Sequence, residues 1–189
     1  GEFALDWSLT RSKFRKGVGA NEPKKDRLRG HVHSKLLYDI NENWRGGFDV
    51  TRTMDDTYFR RYRFLNQTHD SFLTSRAFAE HFTVRDYSVI EAMTFQGMRD
   101  EDRSSLIPYI APSAETHLIR KLGFMPGNWF TDASLLNLGR KEGGMMQRLS
   151  GTTGWEMMHI TNAGLIVEPR VQIRQDLYQI EKYTFTSRP

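Results

Sequence analysis

The sequence predicts an all-β protein, an antiparallel meander of long hairpins forming part of a transmembrane outer-membrane β-barrel. Three observations carry this. Apolar and polar residues alternate with period two in one segment after another, from Phe3 to beyond Ile173, and no stretch holds a helical period. The segments run to about ten residues or more, where strands of soluble sheets average five or six. Their connections alternate between short turns (around Glu42, Asp86 and Thr161) and longer charged loops (11–29, 99–104 and 139–146), the pattern of an outer-membrane barrel.

Phe3, Leu5, Trp7 and Leu9 alternate with Glu2, Ala4, Asp6 and Ser8 in a first ribbon. Residues 11–29 are basic, contain Gly17, Gly19 and Pro23, and read as a long exposed loop. From Gly30 to Thr53 two ribbons flank Asn41-Glu42-Asn43, a long hairpin with a tight turn. A turn at Met54-Asp55-Asp56 leads into the aromatic-basic run Tyr58 to Phe64. Phe72 to Phe82 alternates less cleanly. Val84-Arg85-Asp86 turns the chain into a strand holding Tyr87, Val89, Met93 and Phe95. Leu106 to Leu118 contains Pro108 and Pro112, which demotes it to an edge, a bulge or a bent strand. Trp129 to Leu138 and Leu149 to Met157 are further strands. In the last, Leu165, Val167, Pro169, Val171 and Ile173 face away from Glu168, Arg170, Gln172, Arg174 and Asp176. Residues 1–189 therefore read as a single, incomplete barrel segment of roughly nine or ten strands.

The 189 residues are 38% hydrophobic and 26% charged, and no apolar run approaches the length of a spanning helix. That leaves a membrane barrel open, because every second residue of its strands is free to be polar. The net charge of +4 tilts mildly toward anionic partners, and the absence of cysteine excludes disulfides and thiolate metal sites. No leader is visible at Gly1, so a signal peptide would lie outside this chain.

In a barrel the apolar face meets lipid and the polar face lines a wet lumen. Arg45, Asp49, Glu168, Arg170, Gln172 and Arg174 are the lumen-facing candidates. Trp7, Tyr38, Trp44, Trp129, Trp155 and Tyr178 sit toward strand ends, where an interfacial aromatic girdle would lie. Gly46, Gly47 and Gly151 interrupt strands, as a curved sheet allows.

Other chemistries are weaker. His31 and His33 share a strand face but lack a nearby third ligand, so a polar strand face is preferred over a metal site. Asp55-Asp56 and Glu101-Asp102 are paired carboxylates in charged loops, and solvation or divalent-cation bridging at a surface is preferred over acid–base catalysis. No nucleophile elbow or phosphate loop is present, and neither an enzyme, a cofactor nor a metal is predicted. Arg60-Arg61-Tyr62-Arg63 interleaves bases with aromatics, yet lining a rim that meets phosphorylated sugar is preferred over nucleic-acid binding. Met145-Met146 and Met157-Met158 read as apolar filler.

The run Asn43-Trp44-Arg45-Gly46-Gly47-Phe48-Asp49, then Thr57 to Tyr62, the strand His69 to Phe82, the proline-containing Leu106 to Pro112 and the strands from Arg148 to Tyr178 resemble the barrel domain of the LPS-assembly family LptD (OstA, organic solvent tolerance protein). The resemblance spans about Arg29 to Tyr178 and is closest to the alphaproteobacterial form. It implies an outer-membrane protein that takes lipopolysaccharide from a periplasmic LPS-bridge component and delivers it to the outer leaflet, with an LptE-like lipoprotein plugged inside the barrel and outer-membrane lipid around it. The family's barrel has more strands than this chain supplies, and the disulfides of many members are absent. A soluble all-β lipid- or glycan-binding module and a general diffusion porin are the alternatives.

Overall fold

The computed structural model describes residues 1–14, 25–54, 72–99 and 102–181. Its strands are β1 (Glu2–Phe14), β2 (Lys25–Asp39), β3 (Trp44–Thr53), β4 (Phe72–Phe82), β5 (Tyr87–Gly97), β6 (Tyr109–Arg120), β7 (Asn128–Gly139), β8 (Met145–Glu156), the short β9 (His159–Ile160) and β10 (Ile166–Val167), and β11 (Arg170–Glu181). Nine of them form one antiparallel sheet in the order β1-β2-β3-β4-β5-β6-β7-β8-β11. The order follows the chain, so the fold is an all-β meander of long hairpins. Among the described residues β1 and β11 pair on one side only, and the sheet is not closed.

Two of the hairpins show their turn chemistry directly. In the β2–β3 turn the Asn41 carboxamide oxygen accepts the Asn43 and Trp44 N–H groups, both at 2.9 Å. In the β4–β5 turn Thr83 Oγ1 accepts from Asp86 N–H at 3.0 Å, and Thr83 N–H donates to Asp86 O at 2.8 Å. Long strands then extend the ladder, because each added rung satisfies backbone groups that would otherwise be left open.

Several expectations change at the strand ends. The loop expected over 11–29 is shorter, since β1 reaches Phe14, β2 begins at Lys25, and the ladder pairs Arg11 with Leu28. Backbone pairing does not require apolar side chains, so charged residues extend the hairpin. Strand β8 begins at Met145 rather than Leu149. The strand expected from Leu165 is divided: Ile166 and Val167 pair back on Ile160 and His159 around Gly164, whose φ of +80° a glycine adopts freely. Strand β11 therefore starts at Arg170, and Glu168 lies outside it. The proline-containing strand β6 is internal, not an edge. Its register shifts between Ile110 and Ser113 against β7, and Asn137 Nδ2 donates to Ala111 O at 2.8 Å across the gap. The Tyr58–Phe64 run, Asp55-Asp56, Arg60 to Arg63, His69 and Glu101 lie outside the described residues.

The β3–β4 ladder ends at Asp49↔Arg76. Beyond it side chains replace the missing rungs. Ser75 Oγ accepts from Thr51 N–H at 3.2 Å and donates to Thr51 O at 3.1 Å, while the Gln96 amide accepts from Thr53 N–H at 3.1 Å and donates to Thr53 O at 2.8 Å. These contacts keep buried backbone polar groups satisfied where the strands part.

No second layer covers the sheet among the described residues. Leu73, Val89, Met98 and Phe130 are buried, whereas Ile90, Leu149, Val171, Ile173 and Leu177 stay exposed. Two strand glycines make opposite demands. A Cβ on Gly47 would stand 2.5 Å from Leu36 O and 3.1 Å from the Phe78 ring, while one on Gly151 would meet nothing within 4 Å. Gly47→Ala is therefore expected to destabilise the full-length protein by about 1–3 kcal/mol, as overpacking does. Gly151→Ala is expected to be neutral or slightly stabilising. Urea unfolding of the two variants in lipid vesicles checks the contrast, and equal losses would contradict it.

Candidate functional site

The register assigns every side chain to one of two faces. Residues directly opposite in an antiparallel pair share a face, so one row runs Trp44–His81–Ser88–Thr116–Ala133–Gly151–Gln175 across six strand junctions' partners. The next row on that face is Gly46–Ala79–Ile90–Ala114–Leu135–Leu149–Leu177. This face is apolar over its middle. Its hydroxyls turn inward on each other, Ser88 with Thr116 at 2.6 Å and Thr131 with Thr153 at 3.0 Å.

The apolar band has two borders. Toward the short turns stand Tyr38, Trp44, Trp129 and Trp155, the last two directly opposite each other. Toward the longer loops stand Arg52 on β3, Asn137 on β7 and Gln147 on β8. From Trp44 to Arg52, from Trp129 to Asn137 and from Trp155 to Gln147 the separation is the same, about 26 Å along an extended strand. The border slants across the rows. Trp129 lies four residues nearer the turns than Ala133, which shares Trp44's row four strands away. That is about 13 Å along the strand against about 19 Å across, an inclination of about 35°. A transmembrane barrel tilts its strands by roughly 35–45° and carries an apolar band about 25 Å tall. The strand-length band projected through this tilt is about 21 Å tall.

Trp7 and Tyr178 fall elsewhere. Trp7 pairs with Val32 inside the apolar face, away from the aromatic border. Tyr178 pairs with Arg148 on the opposite face.

That opposite face is polar and its charges pair, most of them across strands. Arg45 Nε donates to Asp39 at 2.8 Å and its Nη1 lies 3.6 Å from Glu80, which also accepts from Tyr87 Oη at 3.1 Å. Arg76 Nε donates to Glu91 at 2.6 Å, Arg170 Nη1 lies 3.7 Å from Glu156, and Arg174 Nε donates to Asp176 at 2.9 Å. His117 meets Asp132, and Ser150 donates to Asp176. His33 Nδ1 lies 2.8 Å from Thr51 Oγ1 and 3.7 Å from Asp49, while buried His31 lies between Ser8 and Asp6 at 3.3 and 3.5 Å.

Of the lumen candidates, Arg45, Asp49, Arg170, Gln172 and Arg174 all share this face, on β3 and β11. Glu168 sits in the connection before β11. Sequence reasoning missed Arg76, Glu91, Glu80 and Phe78, which the register brings onto the same face between β3 and β6. The available signal was the alternation Thr74, Arg76, Phe78, Glu80, hidden because a phenylalanine interrupts it. Phe78 is there because it lies over Gly47.

Asp86, in the β4–β5 turn, ties that hairpin to β6. Its carboxylate accepts from Arg120 and from Ile119 N–H at 3.2 Å. The Arg120 guanidinium, with the Ile119 amide, holds this carboxyl below the usual carboxylate range. A depressed carboxyl stabilises the fold above its unfolded pKa, and that contribution disappears as pH falls through the depressed value. Asp86→Asn is therefore expected to lower stability at neutral pH and to flatten its decline at acid pH. Urea midpoints measured from neutral to acid pH check this, and an unchanged acid slope would contradict it.

The family model of LPS transport system D (LptD) matches residues 27–188. No curated protein matches the chain.

Proposed function

The chain belongs to the LPS transport system D family, and from that premise we propose that it forms part of an outer-membrane translocon wall through which lipopolysaccharide reaches the cell surface. The family handles lipopolysaccharide transport and assembly and is a β-barrel of the outer membrane. In this reading residues 1–189 are one barrel segment. The apolar band meets lipid, with Tyr38, Trp44, Trp129 and Trp155 at the interface on the periplasmic side, where the short turns gather. The longer loops face outward.

The observation that carries the reading is the pairing of two faces on one sheet. A slanted apolar band of constant height lies back to back with a polar face whose charges are paired. Work is divided between them. Acyl chains stay in an apolar phase, while the phosphorylated saccharide crosses a wet lumen lined by Arg45, Asp49, Arg170, Gln172 and Arg174. A periplasmic bridge component delivers the lipid, and an LptE-like lipoprotein occupies the lumen against the polar face. The mechanism is passage, with no bond made or broken.

Two measurements test this in the full-length protein with its lipoprotein partner. A photo-crosslinking residue at Gln172 is expected to capture lipopolysaccharide in cells, and one at Leu135 is expected to capture bulk membrane lipid. Capture of lipopolysaccharide at neither position would overturn the reading. Leu149→Arg, on the apolar band, is expected to cost about 2–4 kcal/mol and to block assembly. Ser134→Lys, opposite Glu115 on the polar face, is expected to assemble normally. Assembly is read from the heat-dependent gel mobility of the folded barrel, and equal tolerance of both changes would contradict the face assignment.

A further inference from the structure

Three arginines of the polar face share one arrangement. The Arg76 guanidinium lies 4.4 Å from the centre of the Phe78 ring, that of Arg170 4.5 Å from Phe130, and that of Arg45 5.4 Å from Phe82. Each also meets a carboxylate: Arg76 with Glu91, Arg170 with Glu156, and Arg45 with Asp39 and Glu80. In two of them the ring is itself set over a glycine on the neighbouring strand. Phe78 covers Gly47 and Phe130 covers Gly154, where an added Cβ would lie 2.7 Å from the ring. The arrangement Gly–Phe–Arg–Glu thus recurs at two places on the polar face, on β3, β4 and β5 and again on β7, β8 and β11.

We infer that these arginines are stations for the phosphate groups of the saccharide moving along the polar face. This rests on the translocon reading and names residues within it. A guanidinium set over a ring and braced by a carboxylate has lost rotamer freedom in advance, so less further ordering is needed to meet an anion. It also keeps donors to spare. Arg76 uses Nε toward Glu91 and Arg170 uses Nη1 toward Glu156, and these side chains are 40% and 55% exposed. The remaining N–H groups present the fork that matches phosphate oxygens.

The carboxylate beside each arginine sets the strength. A lone buried guanidinium would hold a phosphate and stop passage, whereas a neutralised one offers geometry with little net charge. Conduction needs sites that are favourable to enter and easy to leave. The positions are stepped. Arg45 and Arg170 stand at the short-turn ends of β3 and β11. Arg45 is opposite Glu80, and Arg76 lies about 13 Å further along β4 toward the longer loops. A phosphate entering at the turn end meets Arg45 or Arg170 first and Arg76 next.

The test uses the full-length protein with its lipoprotein partner in vesicles, a photo-crosslinking residue at Thr74, and two probes, native lipopolysaccharide and the same lipid enzymatically stripped of phosphate. Thr74 lies on the polar face beside Arg76. Arg76→Lys keeps the charge and loses the planar fork. It is expected to reduce capture of native lipid at Thr74 several-fold while leaving capture of the stripped lipid unchanged. The triple variant Arg45→Lys, Arg76→Lys, Arg170→Lys is expected to deepen that selective loss. If the variants lower capture of both probes equally, or of neither, the stations are wrong and the translocon reading stands. If the unaltered protein captures neither probe at Thr74 but passes lipid, the polar face is not the path and both fail. Folded-barrel gel mobility of each variant separates these outcomes from misassembly.

Discussion

Everything in this structure depends on one constraint, that each strand must satisfy its backbone through its neighbours. A sheet a single layer thick, apolar on one side, has no water or second layer to accept stray N–H and C=O groups there. The ladder is therefore continuous from β1 to β11, and where it fails the sequence supplies substitutes. Ser75 and Gln96 take over the rungs between the ends of β3 and β4. The Asn137 amide reaches Ala111 across the proline-induced register shift of β6.

Register then decides everything about the faces. Because the side-chain period is two, one hydrogen-bonded row carries information across the whole sheet. The slant of the aromatic border against these rows gives a tilt that the sheet alone does not reveal. Nothing in a soluble sandwich requires an apolar band of the same height on β3, β7 and β8, whereas a bilayer of fixed thickness does. The same register assembles the polar side, where Arg45, Arg76 and Arg170 each find a ring within two strands and a carboxylate on an adjoining strand.

Much of this was legible in the sequence. The Gly30–Thr53 hairpin, with its turn at Asn41 to Asn43, follows from alternation and turn chemistry alone, and Arg45, Asp49, Arg170, Gln172 and Arg174 were assigned to one face by parity. What escaped depends on contacts between strands. Arg76 is hard to find from sequence because Phe72 and Phe78 blur the alternation of β4, and Phe78 makes sense only over Gly47, a residue distant in sequence. For Glu168 parity continues through Pro169 and predicts a strand, while the turn at Gly164 folds that segment back on His159 and Ile160. Trp7 and Tyr178 were grouped with the other aromatics by nearness to strand ends. Distance from an end is a poor guide when strands are tilted and their ends staggered. The full extents of β1 and β2 are not legible, because charge suggests loop although pairing is indifferent to it.

The most direct measurement is a cysteine scan along β8, from Met145 to Glu156, in the full-length protein in native membranes. Each position is treated with a membrane-impermeant maleimide and, separately, read with a lipid-confined spin-label quencher. The account predicts alternation: Arg148 and Thr152 reactive from water, and Leu149, Gly151 and Thr153 quenched from lipid. Reactivity without alternation, or reactive Leu149 and Gly151, would contradict a wall with lipid on one side and water on the other.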